Sequence, residues 1–125
     1  ADRLLELSVL SDSIDLYAGN DSQIYTALAL GGKGVISVVS NLMPRYAHEI
    51  CNRFWFGESE AALKMQKEIL PLIKSLFLET NPAPVKYAMS LLGLCEGELR
   101  LPLCEVREST KEIIKNELER VSHLT

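Results

Sequence analysis

Few side chains of this sequence are placed to act as nucleophile, base or metal ligand. Lys33 stands out, set between Gly32 and Gly34 in Gly31-Gly32-Lys33-Gly34-Val35-Ile36-Ser37-Val38-Val39-Ser40-Asn41. A lysine attacks carbonyl carbon when its surroundings lower its pKa. Lys86 follows Asn81-Pro82-Ala83-Pro84-Val85 and reads as a surface or capping charge. Cys51, Cys95 and Cys104 are odd in number, widely spaced and without a CxxC pair. They read as buried thiols of a reducing compartment, not as a disulfide or metal site. His48 and His123 lie far apart, neither with a second ligand close in sequence, so neither is expected to bind metal or act in catalysis.

The elements that must position such groups begin with the glycine-led run. Its apolar residues fall on both faces, as in a strand of a parallel sheet covered by helices. The glycines permit a sharp exit from a preceding helix, and Ser40 and Asn41 suit the cap of the next one. In α/β barrels and open α/β sheets, ligands lie beyond the carboxyl ends of the strands. Chemistry is therefore expected between Ile36 and Asn41. Lys33 sits at the strand entry, where residues serve stability.

Upstream, a helix is predicted over residues 2–10, a turn over 11–13 and a strand over 14–18. Gly19-Asn20-Asp21-Ser22 is a turn in which Asp21 or Ser22 would cap a helix over 23–30, with Ile24, Ala27 and Leu28 inward. The order strand, helix, strand is a βαβ unit with parallel strands. Past Asn41 only helices are expected. One covers 45–56 and ends at Gly57, with Tyr46, Ile50 and Phe54 on one face. A second covers 59–78, kinked or broken at Pro71. Asn81-Pro82 reads as N-cap and first residue of a helix ending at Gly93. After an extended connector over 99–103, Ser109-Thr110-Lys111-Glu112 fits a capping box. Ile113, Ile114, Leu118, Val121 and Leu124 then form an apolar stripe. Glu112, Glu117 and Glu119 read as a solvated face; for Trp55 and Phe56, next to Gly57, an exposed patch for subunit contact is an alternative and not the first reading.

With 125 residues, 47% of them apolar, the chain can bury one real core. A net charge of −4 and a pI near 5.2 argue against a nucleic-acid partner. No apolar run reaches the length of a membrane span, and no secretory signal is visible. The chain begins at Ala1 without a methionine, which leaves room for an upstream segment. Two parallel strands would leave unpaired backbone on both outer edges. A lone βαβ unit with a helical tail is an incomplete layer architecture. Either a second chain or a further part of a larger protein should complete it.

The segments YAGND, ALGGKGVISVVSNLMP, LFLETNPAPVKYAMSLLGL and LRLPL occur in this order. Together they closely resemble the C-terminal part of dihydrodipicolinate synthase, of the pyruvate-dependent aldolase family that also contains N-acetylneuraminate lyase. The resemblance covers nearly the whole chain. It implies an α/β fold, mostly helical overall: the C-terminal portion of a (β/α)8 TIM barrel followed by a helical extension. Residues 1–56 would carry the last strands and helices, with the seventh and eighth strands at 14–18 and 35–39, and residues 57–125 the extension.

The chemistry it implies is a Schiff base between a lysine and pyruvate, whose enamine adds to aspartate semialdehyde in lysine biosynthesis. That lysine would lie just before Ala1, so this chain would carry no catalytic residue and would be inactive alone. Four substrate-binding positions carry over. Gly19 would approach the pocket closely, although turn geometry alone could explain it. Asn20 stands where aspartate is common. Ile36, itself expected in the core, would turn its backbone carbonyl to pyruvate. Asn81 would lie near the barrel mouth, or serve only as an N-cap. No metal or organic cofactor is implied, nor a nucleic-acid or membrane partner. The complete enzyme would be a cytoplasmic homo-oligomer. A non-catalytic, self-associating remnant and a small helical interaction module are the competing readings.

Overall fold

A computed structural model describes residues 2–124. Ala1 and Thr125, the outer limits of the two predicted portions, lie outside the described residues. Helix α1 (Asp2–Ser8) leads into a turn and then into strand β1 (Tyr17–Ala18). A 3-10 turn (Asp21–Gln23) and helix α2 (Ile24–Ala29) cross to strand β2 (Gly34–Val35). The strands pair in parallel, Tyr17 opposite Gly34 and Ala18 opposite Val35, so the expected βαβ unit is present. Gly32 makes its tight return possible. A Cβ there would lie 2.7 Å from the Ala27 carbonyl oxygen, which accepts the Gly32 N–H at 2.8 Å.

The strands are shorter than the sequence suggests. Two further bonds extend the ladder, from Lys33 N–H to Leu16 O at 2.7 Å and from Ile36 N–H to Ala18 O at 2.8 Å. Beyond Ile36 the chain leaves the sheet. Val38 is helical (φ −81°, ψ −45°), and a 3-10 turn covers Val39–Asn41. A strand would have to give the amides of Val38 and Val39 to a neighbouring strand; here the Asp21 carboxylate takes both. Ser40 and Asn41 therefore cap no helix. Ser37 Oγ instead accepts the Ser40 N–H at 2.9 Å, and Asn41 Nδ2 donates to Val38 O at 3.0 Å.

Four helices follow: α3 (Pro44–Trp55), α4 (Ser59–Ser75), α5 (Ala83–Leu91) and α6 (Glu108–Val121). Pro44 occupies the first position of α3, where its missing N–H costs nothing. Helix α4 runs unbroken through Pro71, which faces solvent. Asn81 is not the N-cap of α5. Its bond to Pro82 is cis, and Pro82 occupies the cap position.

The predicted capping box is also absent. Helix α6 starts earlier, at Glu108, so Ser109 lies inside the first turn. The cap comes from another part of the chain, the Glu79 carboxylate accepting the Arg107 N–H at 3.0 Å. The Thr110 hydroxyl and then this amide hold the Glu79 carboxyl below the usual carboxylate range.

The core is one cluster. Ile50, Ile69, Leu72, Ile73, Leu76 and Ile114 are fully buried at its centre, and Ile24, Leu28 and Val39 join it from the βαβ portion. Helix α4 is the hub, packed on α3 and α6. Within the last stripe Ile114 and Val121 are buried, but Ile113 is exposed. Of the cysteines only Cys51 is buried, and burial raises its thiol pKa; Cys104 is exposed. No helix among the described residues is long and apolar enough to cross a membrane.

Candidate functional site

The register of β1 and β2 sets Gly19 and Asn20 beside Ile36 at the carboxyl ends of the strands. This is the end at which α/β proteins hold ligands. Ile36 was expected in the core, yet its side chain is 72% exposed. No described residue covers that face of β2. Its amide is held by Ala18 O, while no described residue donates to its carbonyl. A Cβ on Gly19 would meet nothing within 4 Å, so contacts within this chain do not require glycine there. Asn20 supplies the local cap that the sequence assigned to Asp21 or Ser22. Its Oδ1 accepts the Ser22 N–H at 3.0 Å and the Ser22 hydroxyl at 2.9 Å.

Asn81 is exposed, and no hydrogen bond among the described residues joins it to Gly19, Asn20 or Ile36. Its connection to the strand ends is indirect. Helix α5, which begins two residues later, packs on the 3-10 turn after β2. A shallow cavity of about 270 Å³ lies beside Gly19, bounded by Leu4, Leu7, Ala18 and Gln23. A more capacious cavity, about 590 Å³, is elsewhere, between α5, the connector and α6. Its cation, Lys111, is already engaged by Glu108 at 2.8 Å and Glu105 at 3.1 Å, bonds that raise its pKa.

Lys33 is exposed at the entry of β2, away from the carboxyl ends. Lys86 donates to the Glu98 carbonyl, a structural tie in keeping with a surface charge. Among the described residues, no three His, Cys, Asp or Glu side chains cluster as metal ligands would. His48 lies 3.4 Å from Asn52 Nδ2, and His123 3.8 Å from Glu68. The Tyr46 hydroxyl donates to Glu68 Oε2 at 2.8 Å; burial and then this carboxylate raise its pKa.

The sequence reading missed Asp21. It is fully buried (0% exposed), and its Oδ2 accepts the N–H of Val38 at 2.9 Å and of Val39 at 3.0 Å. Gln66 of α4 donates to the Asp21 backbone carbonyl at 3.0 Å and accepts the Tyr25 N–H at 3.3 Å. A local turn explains an Asp in this position, so only the long-range contact to β2 could have revealed its role. The place after β2 from which those amides come was, however, marked out in the sequence.

A parallel βαβ unit backed by helices defines an α/β protein, a class in which ligands lie beyond the carboxyl ends of the strands. The fold neighbours narrow that class to TIM-barrel enzymes. Dihydrodipicolinate synthase of Thermotoga maritima matches with a TM-score of 0.94 at 38% identity, over 97% of this chain and 42% of that one. The pyruvate-complexed enzyme of Acinetobacter baumannii matches with a TM-score of 0.90 at 30% identity, over 97% and 42%. The family model described as the dihydrodipicolinate synthetase family matches residues 3–121, and the chain belongs to that family. The 4-hydroxy-tetrahydrodipicolinate synthase of Clostridium novyi is 50% identical over 118 residues, 94% of this chain and 40% of that protein. The chain thus spans about two fifths of the length of the curated relatives it matches.

Proposed function

We propose that this chain is the C-terminal part of a dihydrodipicolinate synthase-like lyase that condenses pyruvate with aspartate semialdehyde in lysine biosynthesis. In this reading β1 and β2 are the seventh and eighth barrel strands, residues 1–56 finish the barrel and residues 57–125 form its helical extension. A lysine upstream of Ala1 attacks the keto carbon of pyruvate and water leaves, giving an imine. Loss of a methyl proton gives the enamine that adds to the aldehyde. The chain supplies part of the pocket wall: the Ile36 carbonyl toward pyruvate, Gly19 and Asn20 beside it, and Asn81 near the barrel mouth. The complete enzyme is a cytoplasmic homo-oligomer that uses no metal or organic cofactor.

The observation that carries this reading is the free Ile36 carbonyl at the strand ends, in a chain matched nearly end to end by synthases. Exposed Leu5, Val9, Ile14 and Tyr17 support it, because apolar side chains left uncovered in and before β1 suit a chain on which further parts of a barrel pack. Borohydride trapping with pyruvate, followed by mass spectrometry, tests it. This chain alone should yield no adduct, and the full gene product that carries it should yield one, on a lysine upstream of Ala1. A stoichiometric adduct on Lys33 or any other lysine of these 125 residues would overturn the reading.

A further inference from the structure

The Ile36–Ser37 peptide is clamped on both sides. Ahead of it, the Ile36 N–H is fixed to Ala18 O at 2.8 Å. Behind it, the amides of Val38 and Val39 are fixed to one oxygen of Asp21. Between the two anchors the Ile36 carbonyl has no donor among the described residues. The second anchor is an unusual choice for stability alone. Asp21 Oδ1 is buried and has no hydrogen-bond partner among the described residues, and an ionisable group left half-satisfied in a core is a poor stabiliser. The carboxylate is itself held from behind, by Gln66 through the Asp21 main chain.

We propose that Asp21 is a positioning residue that sets the direction of the Ile36 carbonyl, and that Gln66 of the helical extension acts through it. The proposal rests on the reading of the strand ends as the keto-acid site. Asp21 touches no substrate; it fixes the two amides that follow the carbonyl, and so decides whether that carbonyl points across the strand ends or rotates with a loosened turn. Helix α4 thereby takes part in the site from outside the strand layer.

The test is made in the full gene product, with Asp21→Ala, Asp21→Asn and Gln66→Met. Asparagine keeps an acceptor oxygen for both amides; alanine keeps none. For Asp21→Ala the KM for pyruvate should rise about tenfold or more, as expected for losing hydrogen bonds to a charged group. The KM for the aldehyde should not change, and hydrogen exchange at Val38 and Val39 should accelerate. Asp21→Asn should restore the pyruvate KM to within about threefold of the parent. Gln66→Met should raise it by a smaller factor, about three- to fivefold, and it carries the test should Asp21→Ala fail to fold.

A purely structural role would lower the amount of folded enzyme and leave the pyruvate KM unchanged. An unchanged pyruvate KM in Asp21→Ala, or in Gln66→Met if only that variant folds, overturns the proposal while the parent still traps pyruvate. Absence of a trapped adduct in the parent overturns the underlying reading instead.

Discussion

The strand layer and the helical layer of this molecule are built to different degrees of completion. In the helical layer Ile50, Ile69, Leu72 and Ile114 are fully buried, and the start of α6 has found a partner in Glu79. In the strand layer two short strands carry an exposed Ile36 and Tyr17. The contrast separates where folding free energy resides from where, in the proposed function, a ligand would bind. Burial of aliphatic side chains stabilises the helices, while the strand ends keep backbone groups unspent and available.

The sharpest way to break this contrast is to hollow the hub. Leu72→Ala removes a fully buried side chain of α4 and should cost about 2–5 kcal/mol. In urea unfolding followed by circular dichroism, its midpoint should fall furthest. A smaller loss is expected at the junction of the layers. Gly32→Ala would put a Cβ 2.7 Å from the Ala27 carbonyl oxygen, a backbone atom that cannot turn aside. The same unfolding measurement should show a loss of about 1–3 kcal/mol.

Acid sharpens the comparison within the helical layer. The folded pKa of Glu79 is depressed, by the Thr110 hydroxyl first and the Arg107 amide next. Its contribution is therefore fully present above the unfolded glutamate value, about 4.3. It is lost as pH falls through the folded value. Glu79→Gln should lower the urea midpoint at pH 7 and lose that deficit as the pH drops below the folded value. A deficit that persists unchanged at the lowest pH would show that the α6 cap does not depend on charge. The smallest effect belongs to the strand layer. Ile36→Ser in this chain alone should shift stability by no more than about 0.5 kcal/mol, since the side chain it alters is already in solvent.

The helical layer was largely legible in the sequence because its signals are local. The 3.6-residue spacing, Pro44 at a helix start and Gly57 at a helix end each act over a few residues. The parallel βαβ unit was legible too, from its order of elements. What was misread depended on distant partners. The capping box at Ser109 lost to Glu79, which lies 28 residues from the amide it caps. The strand beyond Ile36 lost to Asp21, which takes its amides. Ile36 itself looked like a core residue because β-branched runs usually are, but the face that would bury it needs neighbours that no local pattern supplies. At the candidate site, Gly19, Asn20 and Ile36 were named from resemblance and do come together at the strand ends. Asn81 stays apart from them, and Asp21 left no mark in the sequence beyond a turn.

The tie between Gln66 and Asp21 spans 45 positions and joins the two layers. Its consequence is one of inheritance. The strand portion of one relative cannot simply be spliced onto the helical extension of another. Gln66 bonds the main chain of residues 21 and 25, so a chimera retains this tie whenever its helical extension brings a glutamine to position 66. Recombination libraries drawn from this family should therefore be constrained at position 66 whatever residue stands at 21, because the bond is to main chain.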